Sequence, residues 1–515
     1  MDHDLAAPMT HPDLKRGLLA LLAATALVGC HDVAAPTPPP LAVRIIEPQA
    51  GVVVGDLDTV RLVGEATAED IGAVPDDSIW WTLGRAELGR GRVHQGRLPL
   101  GADMIRLHAR YGRREDSASA AVSVVRAVGR MLWVVALDTN KLDGLSQAPD
   151  GTLYATDRRF GEVVAIAPTG EVKWRSQLPV VVQMLQPAIG LDGTLYWGYT
   201  YGLGSYGGLL AMAPDGTVKW HFACDAYGPP GSIYYRVLGQ PAIGRDGTIY
   251  FASEENDGPM YAVNPDGSLK WRSSTRTTET TVLRFTGPVA LVGDSLLVSI
   301  RRELGSTLSQ RLFALATESG TLRWSRPLGV WGASAGPAVG ANGTVYIATY
   351  GTSGYASLLA FSPAGDTVWS RVAAWQMYAG GPTLWSGRLF LGNALGGVWV
   401  YRTAAGDSLR AFGNTTSTRL GNAVTVGRGG VLYTAANDTL FSYTADGVVR
   451  YAVPVYHRWD VDFYGTAGGV LLGGDGTVYL RAAQLGVIAF RDTVGPATDA
   501  DWPTLQGNPQ RQGRR

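Results

Sequence analysis

Short apolar runs separated by glycine-containing turns make up most of the chain after residue 130. The stretch Gln240–Trp271 shows the pattern clearly, because it contains four such runs and ends in tryptophan. Asp246-Gly247 and Asp266-Gly267 each separate two runs. Asp-Gly between apolar runs is a strong hairpin signal, since glycine tolerates positive φ. The stretch therefore predicts a four-stranded antiparallel sheet, which is too small to bury both faces and must stack against copies of itself.

The unit recurs along the chain at spacings of about 41 to about 54 residues, the range of one propeller blade. The glycine of the first turn, or its equivalent, falls at Gly151, Gly193, Gly247, Ser295, Gly343, Gly387, Gly430 and Gly476. The closing aromatic falls at Trp133, Trp174, Trp220, Trp271, Trp324 and Trp369, and then shifts to Arg410 and Tyr451. We expect these tryptophans to be structural and to wedge between neighbouring blades.

The two series are offset in a way that predicts a closed ring. The tryptophan series begins before the first Asp-Gly turn, whereas the turn series ends at Gly476 without a matching tryptophan. A ring explains the offset if Met131–Leu137 supplies the outer strand of the blade built from Gly468–Phe490, which removes exposed sheet edges. We expect a propeller over residues 130–492 with eight blades, or seven if the weak sixth or seventh unit is irregular.

The repeats DGTLYATDRRFGEVVAIAPTGEVKW and DGTIYFASEENDGPMYAVNPDGSLKW resemble the PQQ-like β-propeller repeat. This resemblance covers roughly Met131–Arg515 and implies the fold. The family includes quinoprotein dehydrogenases and non-enzymatic propeller lipoproteins of outer-membrane protein assembly. The dehydrogenases hold their quinone with adjacent cysteines and a calcium ion, and this chain has no Cys-Cys pair. We therefore expect no cofactor, no metal and no catalytic residues.

Residues 1–30 are typical of an export signal. Lys15-Arg16 precede the apolar run Gly17–Val28, and Leu27–Cys30 resembles a bacterial lipobox with Cys30 as the lipidated residue. A run of about a dozen residues is too short to span a bilayer, which takes about 20. The alternatives are an ordinary cleaved signal or a buried helix, and the true start is Met1 or Met9. Residues 31–40 then form a Pro-rich tether, so the expected location is the cell envelope, with the lipid anchor in the outer membrane on its periplasmic or surface side. The sequence leaves the inner membrane open as the alternative.

Residues 41–126 contain short strand-like runs at turn-punctuated spacing, which predicts a β-sandwich. Their order resembles bacterial Ig-like domains, with Trp80 or Trp81 as the buried aromatic. The whole chain is thus expected to be all-β, an Ig-like sandwich followed by the propeller. Residues 493–515 are expected to pack on the propeller or to form a disordered basic end.

Composition narrows the functions that the chain can perform. Lys+Arg 44 balances Asp+Glu 44, so no electrostatic case exists for nucleic acid. The two cysteines are Cys30 and Cys224, so acylation of Cys30 leaves no internal disulfide, and a lone cysteine such as Cys224 is usually a small buried hydrophobe. In the propeller, His221 and His457 lie about five repeats apart and do not suggest a metal site.

Aromatic residues are concentrated in the long connections between repeats, which should share one face of the ring. The candidate partner-binding residues are Tyr199, Tyr201, Tyr206, Trp331, Tyr355, Trp375, Tyr378, His457, Trp459 and Tyr464. Aromatics on loops over a rigid scaffold favour binding of an envelope protein or a glycan, and the alternative is that they plug the central channel or cap the tops of the blades. The leading hypothesis is a monomeric, non-catalytic envelope scaffold. The alternative is a quinoprotein or polysaccharide-processing enzyme that uses the same face.

Overall fold

The computed structural model describes residues 37–56, 58–125, 127–137, 142–157, 161–178, 186–201, 206–224, 237, 239–253, 259–273, 282–285, 288–304, 309–330, 336–350, 356–373, 381–393, 395–415, 423–436, 439–455, 469–482, 485–501 and 507–508. The chain divides into two compact units near residue 124, with the short segments 53–58 and 97–101 grouped with the second unit. In the described residues, no helix has the length and apolar character needed to cross a membrane.

The first unit contains two antiparallel sheets, one ordered β1-β3-β4 with β7 paired to β3, and one ordered β2-β9-β8-β5-β6. The strands are β1 (Ala42–Glu47), β2 (Val52–Gly55), β3 (Val60–Ala68), β4 (Gly72–Ala73), β5 (Ile79–Leu83), β6 (Ala86–Arg90), β7 (Val93–Gly96), β8 (Gly101–Tyr111) and β9 (Arg114–Val125). A short 3-10 turn, Asp76–Ser78, precedes β5.

The two sheets pack face to face around Trp81. Its side chain is fully buried, and its indole N–H donates to the carbonyl of Gly91 at 2.9 Å. A Cβ at Gly64 of β3 would lie 2.2 Å from Leu107 of β8, so glycine lets the sheets approach closely here. Trp81 is therefore the core aromatic, whereas Trp80 stacks on His108 with ring centroids 5.1 Å apart. The resemblance of this sandwich to Ig-like domains stays a prediction.

The second unit is built from repeated antiparallel sheets, eight of them in the part of the chain that the structure describes. Its first strand is β10 (Arg130–Val135). Blades 1 to 3 comprise β11 (Leu142–Gln147), β12 (Leu153–Asp157), β13 (Glu162–Ile166) and β14 (Val172–Gln177); β15 (Ala188–Ile189), β16 (Leu195–Tyr201), β17 (Tyr206–Met212) and β18 (Val218–Ala223); and β19 (Ala242–Ile243), β20 (Ile249–Ala252), β21 (Met260–Val263) and β22 (Leu269–Arg272).

Blades 4 and 5 comprise β23 (Val282–Phe285), β24 (Ala290–Val292), β25 (Leu296–Leu304), β26 (Ser309–Ala316) and β27 (Leu322–Val330); and β28 (Ala338–Val339), β29 (Val345–Tyr350), β30 (Ala356–Phe361) and β31 (Thr367–Ala373). Blades 6 to 8 comprise β32 (Thr383–Trp385), β33 (Arg388–Gly392), β34 (Val398–Arg402) and β35 (Ser408–Phe412); β36 (Thr425–Val426), β37 (Leu432–Ala436), β38 (Thr439–Tyr443) and β39 (Val449–Pro454); and β40 (Leu471–Leu472), β41 (Val478–Ala482) and β42 (Gly486–Arg491). The 3-10 turn Arg428–Gly430 lies between β36 and β37.

The expected ring closure is confirmed, because β10 is the outer strand of blade 8. It pairs antiparallel with β42, with Met131 opposite Phe490 and Val134 opposite Ile488. One apolar cluster joins residues of blade 8, such as Tyr479, to residues of blade 1, such as Leu153. The first and last strands of the propeller therefore close the same blade.

An aromatic side chain from the outer strand of each blade rests on a turn glycine of the next one. The pairs are Trp133 on Gly170, Trp174 on Gly216, Trp220 on Gly267, Trp271 on Gly320, Trp324 on Gly365, Trp369 on Gly406, Phe412 on Gly447 and Tyr451 on Gly129. In the six tryptophan pairs the indole N–H also donates to a carbonyl of the next blade's turn at 2.7–3.0 Å. We call each such pair a dock, and together the docks link every blade to its neighbour, as the sequence predicts.

The dock between blades 6 and 7 uses a different residue from the one that the repeat suggested. Arg410 occupies the strand position equivalent to the earlier tryptophans, since it pairs with Val400 as Trp369 pairs with Ala360. Its guanidinium bonds Asp446 at 3.1 Å, while Phe412, two residues later, covers Gly447. Apolar cover of the glycine is therefore kept, although the residue that provides it has moved along the strand.

Hydrogen bonds between neighbouring inner strands add to the docks. Thr383 donates its hydroxyl to the carbonyl of Val424, and Thr425 donates to that of Val470, both at 2.6 Å. Ser146 donates in the same way to the carbonyl of Pro187 at 2.6 Å. These buried contacts bring polar groups into pairs where the blades converge, so the centre of the ring is rigid as well as its rim.

Candidate binding surfaces

Strand order gives the propeller two unlike faces. In blade 2, residues 190–194 join the first and second strands and residues 213–217 join the third and fourth. Because successive strands are antiparallel, both turns lie on one side, which we call the turn face. The connections from the second to the third strand, and from the fourth strand to the next blade, lie on the opposite side, which we call the loop face.

The structure corrects part of the expected loop face. Tyr199 was predicted in a loop, but it lies within β16, is 8% exposed and packs in the apolar cluster between blades 1 and 2. Tyr201 and Tyr206 form the last pair of the β16–β17 hairpin, so their backbone is strand as well. The other candidates lie outside the described residues: Trp331, Tyr355, Trp375, Tyr378, His457, Trp459 and Tyr464, together with Cys30.

His221 lies on the outer strand beside Tyr199. Their rings meet edge to face with centroids 6.0 Å apart. Burial lowers the pKa of the His221 imidazole, so this side chain is neutral at pH 7. A neutral histidine against an aromatic ring is a packing contact, and the described contacts give it no further chemical role.

On the turn face, charged residues that recur in the repeat are used to hold the turns. The carboxylate of Asp192 accepts hydrogen bonds from the backbone N–H of Thr194 at 3.0 Å and from its hydroxyl at 2.6 Å. Lys219 reaches back from the outer strand to the Thr194 hydroxyl at 2.9 Å. The pKa of Asp192 is lowered: burial would raise it, but the bonds from Thr194 and the charge of Lys219 outweigh that effect. The same trio recurs as Asp150, Thr152 and Lys173, and as Asp246, Thr248 and Lys270.

The C-terminal segment 493–501 also lies on the turn face. The backbone N–H of Arg428 in blade 7 donates to the carbonyl of Gly495 at 2.8 Å, and Pro496 forms a β-bridge with Gly427. Farther along, the indole N–H of Trp385 in blade 6 donates to the carboxylate of Asp499 at 3.1 Å. Of the two predicted outcomes for the tail, packing on the propeller is therefore the one observed for these residues.

Two adjoining clefts open on the turn face around blade 4. One, of about 530 Å³, lies between blades 3 and 4, and the other, of about 430 Å³, lies between blades 4 and 5. Arg245, Leu291, Asp294 and Ser295 line both clefts. The sequence reasoning missed them because it assigned the turns a structural role and placed recognition on the loops. Ser295 in place of the turn glycine was the one signal that this blade is different.

The described residues give no support to a metal or quinone site. Among them, no three His, Cys, Asp or Glu side chains converge where a metal ion could bind. Cys224 is fully buried in the apolar cluster between blades 2 and 3, as expected for a lone cysteine. This part of the chain therefore offers no thiol for holding a quinone.

The stacked four-stranded sheets, their docks and the closing strand define a PQQ-like β-propeller. The family model described as outer membrane protein assembly factor BamB matches residues 118–303 and 256–417, which together span more than half of the chain. The chain belongs to this family. A search of curated protein sequences found no significant match.

Solved structures show related shapes at low sequence identity. BamB from Moraxella catarrhalis is 17% identical, with 71% of this chain and 98% of that one covered and a TM-score of 0.49. The computationally designed Ika8 protein is 12% identical, with coverages of 71% and 100% and a TM-score of 0.51. Virginiamycin B lyase from Staphylococcus aureus is 12% identical, with coverages of 70% and 98% and a TM-score of 0.40. The likeness to Ika8 bears on the fold alone, and the two with TM-scores below 0.5 carry no further argument.

Proposed function

We propose that this chain is a non-catalytic binding scaffold of the bacterial cell envelope that takes part in assembling outer-membrane proteins. The match to the assembly-factor family over residues 118–417 is the observation that carries the proposal. A scaffold of this kind must hold its shape while its surface engages a partner. The docks and the hydrogen bonds between inner strands hold neighbouring blades together. The residues that recur from blade to blade therefore have structural roles.

Recognition then falls to the residues that vary from blade to blade. The sequence predicts Trp331, Trp375 and Trp459 for connections on the loop face, and aromatic side chains are enriched at the centres of protein interfaces. An envelope protein is the partner favoured by the family, and a glycan is the other class that aromatic loops would suit.

The loop face is tested by recovering partners from an envelope extract with the tagged mature protein. Trp375→Ala combined with Trp459→Ala is expected to abolish most partner recovery, because truncating a central interface aromatic typically costs about 2 kcal/mol or more. Val372→Ala serves as the control, since Val372 is 71% exposed on an outer strand. Equal recovery by wild type and the double variant would show that this face is not the binding surface.

The same preparation separates a scaffold from a quinoprotein. Titration with pyrroloquinoline quinone and calcium, followed by absorbance and heat, is expected to show no stoichiometric uptake. Tight one-to-one uptake would overturn the scaffold in favour of the dehydrogenase.

The anchor is proposed to be a lipid on Cys30. The combination of apolar run, Leu27–Cys30 and a Pro-rich stretch supports it. We expect wild type to partition into detergent and to incorporate labelled palmitate, and Cys30→Ser to do neither and to fractionate with soluble envelope proteins. Membrane retention and palmitate labelling of the Cys30→Ser variant would contradict this proposal.

A further inference from the structure

The turn face carries one groove that the chain fills with its own C-terminal segment. Ala497 and Ala500 are 6% and 4% exposed and belong to the apolar cluster between blades 6 and 7. Val494 lies against Gly427, where a Cβ would come within 2.8 Å of the valine methyl. The segment thus inserts small apolar side chains between neighbouring turns.

The polar contacts of this segment show what else such a groove recognises. Its backbone bonds blade 7 through the carbonyl of Gly495, which accepts from the N–H of Arg428, and through the N–H of Ala497, which donates to the carbonyl of Val426. The carboxylate of Asp499 accepts a hydrogen bond from the indole N–H of Trp385 in blade 6. A groove between turns of this propeller therefore accepts a segment without regular secondary structure that carries small apolar residues and one carboxylate.

The clefts around blade 4 have the same position relative to their blades, and they are open to solvent. Their volumes of about 530 and 430 Å³ fall within the roughly 300–1,000 Å³ typical of ligand sites. The buried side chains of Tyr250, Leu291 and Val339 provide apolar floor. Each cleft can therefore take several side chains of an extended polypeptide.

Charges of both signs line the larger cleft. Arg245 pairs with Asp294 at 3.5 Å, and both side chains are mostly exposed, at 76% and 66%. Arg323 and Glu318 also line the cleft and have no ion-pair partner among the described residues. Lys270 and Asp246 line the cleft as well. A simple anion would therefore meet three carboxylates beside the three basic side chains, whereas a polypeptide can satisfy both signs with its N–H groups and a carboxylate.

We propose that the paired clefts around blade 4, which we call the blade-4 site, bind an extended segment of a partner protein. The segment carries small apolar residues that enter the clefts, and an acidic side chain that bonds Arg245 and Arg323. This site lies on the turn face, so it provides a second point of attachment beyond the loop face. A scaffold with two such sites can hold two segments at once.

The test uses the groove-filling segment as a probe, because its chemistry is already accepted by this propeller. A fluorescein-labelled nine-residue peptide of sequence TVGPATDAD, corresponding to residues 493–501, is titrated against the full mature protein by fluorescence anisotropy. We expect saturable binding that Arg245→Ala with Arg323→Ala weakens about tenfold or more, the effect of losing charge-assisted hydrogen bonds. The peptide TVGPATNAN, in which asparagine replaces both aspartates, should bind the wild-type protein with an affinity lowered by a similar factor.

Arg175→Ala is the matched control, because Arg175 is an exposed arginine of blade 1 that pairs with Glu162. It should bind the peptide as wild type does. Absence of saturable binding, or equal binding by wild type and the double arginine variant, would overturn the proposal. If Trp385→Ala loses peptide binding and the double arginine variant keeps it, the peptide binds the groove between blades 6 and 7 that residues 493–501 normally fill. That result would also overturn the proposal. So would a dimer that the arginine substitutions dissolve, or peptide binding seen only after residues 509–515 are deleted, because the occupant would then belong to this chain.

Discussion

Trp271→Ala is expected to lower the free energy of unfolding by about 3 kcal/mol, the lower end of the range for truncating a large aromatic, because the Trp271 side chain is half-buried. The indole of Trp271 joins blade 3 to blade 4, donating to the carbonyl of Thr317 at 2.8 Å and covering Gly320. Its ring also meets Tyr250 of its own blade, with centroids 5.9 Å apart. Alanine removes the cover from both blades. The measurement is the denaturant midpoint, with the slope m checked for constancy.

Two companion variants separate packing from the hydrogen bond. Trp271→Phe keeps most of the cover but loses the indole N–H, so it should cost about 1 kcal/mol from that bond beyond any repacking. Val372→Ala, on an exposed strand surface, should leave the midpoint almost unchanged. If Trp271→Ala and Val372→Ala unfold at the same denaturant midpoint, the dock does not stabilise the ring.

The dock of Trp271 can also be weakened by substituting the glycine that it covers. Gly320 has φ of 67°, and a Cβ there would lie 2.5 Å from the Trp271 ring. Gly293 in the same blade has φ of 59° with nothing within 4 Å. Alanine at either position incurs backbone strain of about 1–2 kcal/mol, and only Gly320→Ala adds overpacking of about 1–3 kcal/mol. Equal losses at the two positions would mean that the indole adjusts without cost.

These docks were predictable from sequence because each is encoded twice within one repeat. A turn glycine and a tryptophan recur at fixed positions, and only stacking of adjacent repeats brings the two together. Ring closure was predicted from the offset between the series of turn glycines and the series of closing tryptophans. Where the repeat weakens, sequence reasoning assigned the dock to Arg410, and the structure uses Phe412 instead. An aromatic residue two positions along a strand lies on the same side of the sheet, so it can replace the missing tryptophan.

The surfaces were less predictable, because they depend on how far each hairpin extends. Nothing local to Tyr199 indicates that β16 continues to Tyr201, since that depends on pairing with the glycines of β17. The blade-4 site likewise depends on several turns distant in sequence. Arg245 and Asp294 come from different repeats and meet because the blades are neighbours. A repeat sequence therefore specifies the ring well, whereas the sites on it depend on tertiary neighbours.

The seam between blades 7 and 8 shows how two blades are joined without a tryptophan. Tyr451 stands there in place of tryptophan, and its hydroxyl donates to Asp492 at 2.8 Å. The buried carboxylate of Asp492 also accepts from Tyr433 at 2.9 Å and from two nitrogens of Arg450 at 2.8 and 2.9 Å. A charged network thus replaces the indole hydrogen bond at the point where the last blade joins the ring.

Asp492→Asn is expected to destabilise the protein by about 3–5 kcal/mol, because it leaves the Arg450 guanidinium partly buried without its counter-charge. Replacing both partners, as Arg450→Met with Asp492→Leu, should recover a large part of that loss, since an apolar pair removes the unmatched charge. Asp266→Asn is the control, because that turn carboxylate is bonded by Ser268 at the surface and should matter little. Denaturant midpoints at pH 7 compare the four proteins. An Asp492→Asn midpoint equal to that of wild type would show that the seam does not depend on this charge.

Acid should narrow the gap between wild type and Asp492→Asn. Burial alone would raise the pKa of Asp492, but the hydrogen bonds from Arg450, Thr493 and Tyr451 outweigh it, so its folded pKa lies below the usual value. A depressed pKa means that the unfolded chain takes up the proton first as the pH falls. The carboxylate's contribution is therefore complete above its unfolded pKa, about 3.9, and is lost as the pH falls through the folded value. Midpoints measured from pH 7 down to pH 2 should keep a constant gap above about pH 4 and draw together below it. A gap that stays constant down to pH 2 would mean that the charge of Asp492 is not what holds the last blade in place.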